Sequence, residues 1–314
     1  MRKFILITLP VFFFISCKLQ PDSDRNYADK SKIYKLTLNP PEGATYYFDV
    51  NNEYSMKMKV DDKKTENSNK SNFGTYYEIS KDTAGNTMIT LSYDKIHIRT
   101  KNGDNESDMD IANASSSINP VERMLSYLKD AKITAIVSPT GETKSVSGYK
   151  ELGEKIIANF NPNDENAKQI ARQQWEKTIG QGIVKKNMDD LFKIFPDSAV
   201  HIGDTWRVIY QQSNDIPLKV KTSYTLKDIN DNIAIVESDG VIYSDSTTTA
   251  FLSFNSATVD LKGKQQGQYE MDTKTGMLIS CNIKANVEGI VEVMGREIPI
   301  TIKTSLKMNG KKIN

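Results

Sequence analysis

A chain of 314 residues is long enough to bury a sizeable core, as one large domain or two smaller ones. Its 41 Lys and Arg nearly balance 40 Asp and Glu, so it has no basic field with which to hold nucleic acid. With only two histidines, it has no His-rich metal cluster and few general bases.

The chain opens with Arg2 and Lys3, then an apolar run from Phe4 to Ile15, then Ser16 and Cys17. A positive start, a short apolar run and a small residue before a cut are the parts of a secretory signal. The apolar run is too short to span a bilayer. Phe14, Ile15, Ser16 and Cys17 resemble the lipobox of bacterial lipoprotein signal peptides. The expectation is therefore a lipoprotein signal peptide over 1–16, with Cys17 acylated by palmitate-like chains and becoming the new N-terminus. Several acyl chains on one residue give stable membrane attachment. Removing Arg2 and Lys3 with the first sixteen residues leaves 39 basic against 40 acidic side chains, close to neutral. Lys18, not an aspartate, follows the cysteine, which by analogy favours the outer membrane. Residues 17–32 are polar and aperiodic, as expected of a flexible tether.

The body then alternates with period two. Met56, Met58 and Val60 begin the pattern. Val220, Thr222, Tyr224 and Leu226 share one face against Lys219, Lys221, Ser223 and Thr225, and Ile279, Cys281, Ile283, Ala285 and Val287 repeat it. Ile298, Ile300, Ile302, Leu306 and Met308 close the series. Such alternation predicts antiparallel sheet with one wet face. Turn residues at 82–86, 228–232, 272–276 and 294–296 punctuate it as hairpins. Between Tyr93 and Ile96 the apolar phase slips by one, which predicts a bulge. The polar stretch 61–72 reads as exposed or mobile, and Asp104, Glu106, Asp108 and Asp110 as a solvated acidic loop without the glycine and terminal glutamate of a calcium loop.

Helical stripes occupy the middle: Asn119 and Pro120 cap one through Leu128, Tyr149 to Phe160 make a second, 163–179 a third, and Met188 to Phe195 a fourth ending at Pro196. The predicted fold class is α+β, mostly antiparallel β, with strongly curved sheets or a half-barrel around a central cluster of helices. Its parts are an N-terminal curved sheet plus helices over 33–195 and a C-terminal antiparallel sheet over 196–314. The Gly43 to Tyr46 stretch is echoed at Gly203 to Trp206, each opening a strand.

No constellation for catalysis emerges, so no catalytic, cofactor or metal residue is assigned. His97 lies on the polar face of a strand, and His201 sits beside Asp204 without a nucleophile elbow. Cys281 has the phase of an inert core thiol. Trp175 and Trp206 read as core pegs. Cys17 is the one site residue, as the point of lipidation.

Phe195, Pro196, Asp197, Val200, Gly203, Asp204 and Trp206, together with the Ser138 to Gly141 hairpin, resemble a family of uncharacterised lipoproteins from Bacteroidota-type bacteria. That resemblance implies no activity. It also implies O-glycosylation at Asp82-Thr83-Ala84 and Asp197-Ser198-Ala199, which look like the sequon of that bacterial group. The reading is a membrane-anchored envelope lipoprotein, non-enzymatic, serving as a binding or structural module. It would partner the membrane through its N-terminal lipid, and a hydrophobic small molecule or an envelope protein. The alternative is a carrier of a hydrophobic ligand such as a lipid, and a third is a surface hydrolase using His201 or scattered acids.

Overall fold

The computed structural model describes residues 31–314 except 61–62, 113–125, 130, 161–164, 167, 170–171, 174, 176–180, 212–217, 245–248 and 253–254. The signal, Cys17, most of the tether and the capped Asn119–Pro120 start lie outside the described residues, as does most of the stripe at 163–179.

The elements in chain order are β1 (Thr45–Val60), β2 (Lys63–Lys81), β3 (Thr87–Asn102), β4 (Asn105–Asp110), β5 (Ile133–Val137), β6 (Thr143–Ser147), α1 (Tyr149–Phe160), α2 (Gln181–Phe192), β7 (Thr205–Gln211), β8 (Lys219–Asn230), β9 (Ile233–Tyr243), β10 (Thr249–Leu252), β11 (Asn255–Asp272), β12 (Leu278–Val293) and β13 (Arg296–Lys312). All strands join one sheet in the order β6-β5-β3-β2-β1-β13-β12-β11-β9-β8-β7, with β4 on β3 and β10 on β11. Read from β7, this is a meander: the chain runs strand by strand to β13, the ladder passes to β1, and the run continues to β6. Each ladder is antiparallel.

Two consequences follow. The first and last strands meet mid-sheet, where Tyr46 faces Lys312 and Met58 faces Ile300. The stretch between β6 and β7, which holds both helices, must carry the chain from one edge of the sheet to the other. It does so over the apolar face, where Phe192 packs 6.3 Å from the Tyr77 ring and Trp206 Nε1 donates to Ile194 O at 2.9 Å.

The helix-cluster expectation is overturned. Among the described residues the sheet is open, because β6 and β7 form no ladder with each other, and two short helices, α1 and α2, stand beside it and form no central cluster. Antiparallel strand dominates the fold. One reason is that residues 63–72, most of the polar stretch expected to be exposed or mobile, belong to β2: Asn67, Asn69 and Ser71 pair with Met56, Tyr54 and Asn52 on one side and with β3 on the other. A two-sided ladder satisfies the backbone and overrides poor β propensity.

Other local features follow the sequence. Asp231 and Asn232 (φ 49° and 66°) and Met294 and Gly295 (φ 52° and 77°) form two-residue hairpin loops with both central residues left-handed, as a type I′ turn requires. The phase slip is a bulge: Tyr93 faces Thr75 while Lys95 faces Gly74, which leaves Asp94 over. The Tyr47 hydroxyl donates to Asp94 at 3.2 Å, and a Cβ on Gly74 would lie 2.2 Å from that hydroxyl.

One end of the apolar face is stoppered by the segment just before β1. Tyr34 bridges Val200, Leu38 N donates to Pro139 O and Asn39 N to Thr275 O, both at 2.8 Å. Leu36 and Leu38 are thereby fully buried.

Candidate functional site

The inward face of the sheet carries two apolar clusters. One contains Phe48, Tyr77, Tyr269, Met308 and the α2 residues Met188 and Phe192; the other contains Val220, Ile242, Val259, Val287 and Ile302. Between them the ladder registers set a polar row across the sheet: Tyr54 beside Thr304, Thr304 beside Ala285, Ala285 beside Gln265, Gln265 beside Gly240, and Gly240 beside Thr222. Along β11 the inward residues Leu261, Gly263, Gln265, Gly267 and Tyr269 place one amide between two small residues, so that the wall is thin there.

Over this row, between the sheet and α2, lies a cavity of about 440 Å³. Val50, Phe73, Leu91, Met188, Leu191 and Leu306 supply much of its apolar wall. Asn52, Thr75, Gln265 and Thr304 supply polar points on the sheet side, and Asn187 and Asp190 on the helix side. The volume is within the range of ligand pockets, about 300–1,000 Å³, and the mixture of apolar wall with a few polar groups is the usual composition of one. Gln265 is buried, and its Oε1 accepts the Tyr210 hydroxyl at 3.3 Å. Thr75 is buried, and its Oγ1 finds no hydrogen-bond partner among the described residues.

Val184, Asn187, Met188 and Leu191 face this cavity because their helical spacing puts them on one side of α2. Asp190 sits at the flank of that stripe, paired with Lys186 one turn earlier. Burial holds the Asp190 carboxyl above the usual carboxylate range, against the pull of Lys186 and with help from Asp189. A second hollow of about 240 Å³ adjoins the first between α2 and the edge strand β7; Asp190 and Tyr210 border both. Lys185, Lys186 and Lys193 line its outer part.

The residues weighed from sequence are dispersed. His97 Nε2 lies 2.5 Å from Asp108 Oδ1, and Arg99 binds the other oxygen of the same carboxylate, so the acidic hairpin is an ion-pair surface. His201 and Asp204 form a local turn: the His201 backbone N–H donates to Asp204 Oδ2 at 2.8 Å, and the ring Nδ1 lies 3.2 Å from the same oxygen. Cys281 is buried, borders the cavity, and has its thiol pushed up to about 12 by desolvation. Trp175 and Trp206 are anchors, with Trp175 Nε1 donating to Tyr149 O at 3.1 Å and Trp206 stacked on Tyr224. Among the described residues no group of His, Cys, Asp and Glu is placed to hold a metal, and no helix is long and apolar enough to cross a membrane.

Sequence reasoning placed Met188, Cys281, Ile283 and Leu306 on apolar faces but missed the polar residues of the cavity. One signal was available: Gln265 shares the odd phase of Leu261 and Tyr269, so a polar side chain was bound to point inward. Asp190 and Lys186 gave no such signal, since a pair four residues apart on a helix is an ordinary surface feature.

No curated protein matches the chain. Among solved structures it is similar to lipovitellin, in a structure titled for lipid–protein interactions, with a TM-score of 0.52 and 9% identity over 86% of this chain. The chain spans only 25% of that lipovitellin chain, and the likeness is one of fold. An outer membrane channel from Pseudomonas putida F1 matches with a TM-score of 0.26 and 9% identity over 86% of this chain and 96% of that one, and OccK7 of Pseudomonas aeruginosa with 0.23 and 6% over 87% and 100%. A family model matches residues 84–278, a span that takes in α2, Tyr210 and Gln265. The chain belongs to that family, the family of unknown function DUF6263.

Proposed function

We propose that this chain is an envelope lipoprotein, moored to the outer membrane by acyl chains on Cys17, whose folded body is a non-enzymatic binding module for a hydrophobic ligand. The observation that carries the binding part is the cavity of about 440 Å³ between α2 and the inward face of the sheet. An apolar chain placed there gains about 0.8 kcal/mol for each methylene withdrawn from water. Gln265, Asn52 and Thr75 offer hydrogen bonds that orient a polar group within it.

The lipovitellin likeness supports the reading as a fold, since that protein's structure is titled for its interactions with lipid. The anchoring part rests on the sequence from Arg2 to Cys17 alone.

Two measurements test the two parts. Metabolic labelling with a palmitate analogue is expected to mark the mature chain and to fail for Cys17→Ser; label retained by the serine variant refutes the anchor. Solvent extraction of purified full-length Cys17→Ser protein, which carries no acyl chain of its own, is expected to release lipid in near-stoichiometric amount by mass spectrometry. Recovery of only trace lipid speaks against the binding module.

A further inference from the structure

The cavity has a charged neighbour. The hollow between α2 and β7 is bordered by Lys185, Lys186 and Lys193 against Asp189 and Asp190, one positive charge in surplus. Lys185 is committed, since its ammonium donates to Asp189 Oδ2 at 2.9 Å and to Thr143 O at 2.7 Å. Lys193, within electrostatic reach of Glu142, makes no ion pair among the described residues. Lys186 is held, among the described residues, by Asp190 alone, and both side chains are half-buried.

Asp190 and Tyr210 stand at the boundary of both hollows, so a ligand filling the apolar one and emerging past them meets Lys186 and Lys193. We infer that the ligand is an anionic single-chain amphiphile, its acyl chain in the apolar cavity and its acidic headgroup between α2 and β7 on Lys186 and Lys193. This rests on the hydrophobic-ligand reading and adds the headgroup to it. A cationic headgroup in the same place would face three ammonium groups. A neutral one would leave the surplus charge uncompensated. An anion there takes over Lys186 from Asp190 through charge-assisted hydrogen bonds.

The test is competition for a fluorescent fatty-acid probe on full-length Cys17→Ser protein by three lipids of the same chain length: lysophosphatidylglycerol, lysophosphatidylcholine and monoacylglycerol. The anionic lipid is expected to compete at least about tenfold better than the neutral one, and Lys186→Gln with Lys193→Gln is expected to reduce the preference to under about twofold while leaving monoacylglycerol unchanged. Lys193→Gln alone, which breaks no ion pair among the described residues, is expected to remove part of the preference and covers the case in which the double variant fails to fold. Equal competition by all three lipids, or a preference that survives in the folded variants, overturns the headgroup assignment and leaves the apolar cavity standing. Competition by none of them, with no binding of the probe, overturns both.

Discussion

The Tyr210 hydroxyl donates to Gln265 Oε1 at 3.3 Å, tying the edge strand β7 to β11 across two intervening strands beneath α2. Tyr210 is the point at which the sheet edge, the apolar cavity and the basic hollow meet. Tyr210→Phe leaves a buried amide oxygen without its donor and is expected to cost about 1–3 kcal/mol. Adding Gln265→Leu removes the orphaned group and is expected to recover most of that loss, measured as urea unfolding midpoints at constant slope. Additive losses in the double variant would show that the two groups do not act as a pair.

The meander makes the last strand a central one. β13 is laddered to β12 along one side and to β1 along the other, and beyond it Ile313 N donates to Thr45 O at 2.8 Å while Asn314 Oδ1 accepts Thr45 N at 2.7 Å. Deleting residues 296–314 is therefore expected to divide the sheet, replacing a single cooperative thermal transition by a broad, low-amplitude one in circular dichroism. A truncated chain that melts at the full-length midpoint contradicts this.

Much of this sheet could be read from the sequence because its information is local. The alternation at Val220 to Leu226 and Cys281 to Val287, the left-handed Asp231–Asn232 and Met294–Gly295 loops and the Tyr93 to Ile96 slip all depend on period and turn chemistry. What was not legible is set by partners distant in sequence. Residues 63–72 read only as exposed or mobile polar chain until β1 and β3 are placed on either side of them. Nor does anything in the sequence say that β13 returns to β1 and leaves the two edges apart, which is what makes the sheet open. The cavity belongs to the same class. Tyr54, Gln265 and Thr304 come from three strands and share one row only through their registers.

Cys281 offers a probe of the cavity wall. Burial moves its pKa up to about 12, which disfavours the thiolate; at pH 8 about one thiol in ten thousand is ionised, against roughly a quarter for an ordinary thiol. The folded protein is expected to react with a thiol-specific disulfide reagent at least about a hundredfold more slowly than the urea-unfolded chain, with the rate rising tenfold per pH unit through the alkaline range. Reaction of the folded protein at the unfolded rate would mean that Cys281 is open to solvent.

If an acyl chain occupies the hollow, affinity must follow its length. Each added methylene is expected to tighten binding about fourfold, from about 0.8 kcal/mol of burial, until the cavity is full and the increment disappears. A flat series of fatty acids from eight carbons upward, measured below their micellar concentrations by calorimetry, would place the chain outside the cavity.

The measurement that decides between a filled hollow and mere packing is equilibrium titration of full-length Cys17→Ser protein with a fluorescent fatty acid, beside the same protein carrying Leu191→Trp. Leu191 projects from α2 into the cavity, so an indole there occupies the space a ligand needs while α2 keeps its other contacts. Saturable one-to-one binding, weakened at least about tenfold by the tryptophan in a variant that melts within a few degrees of the parent, is the predicted result. Equal binding by the two proteins, or no saturable binding by the parent, contradicts it.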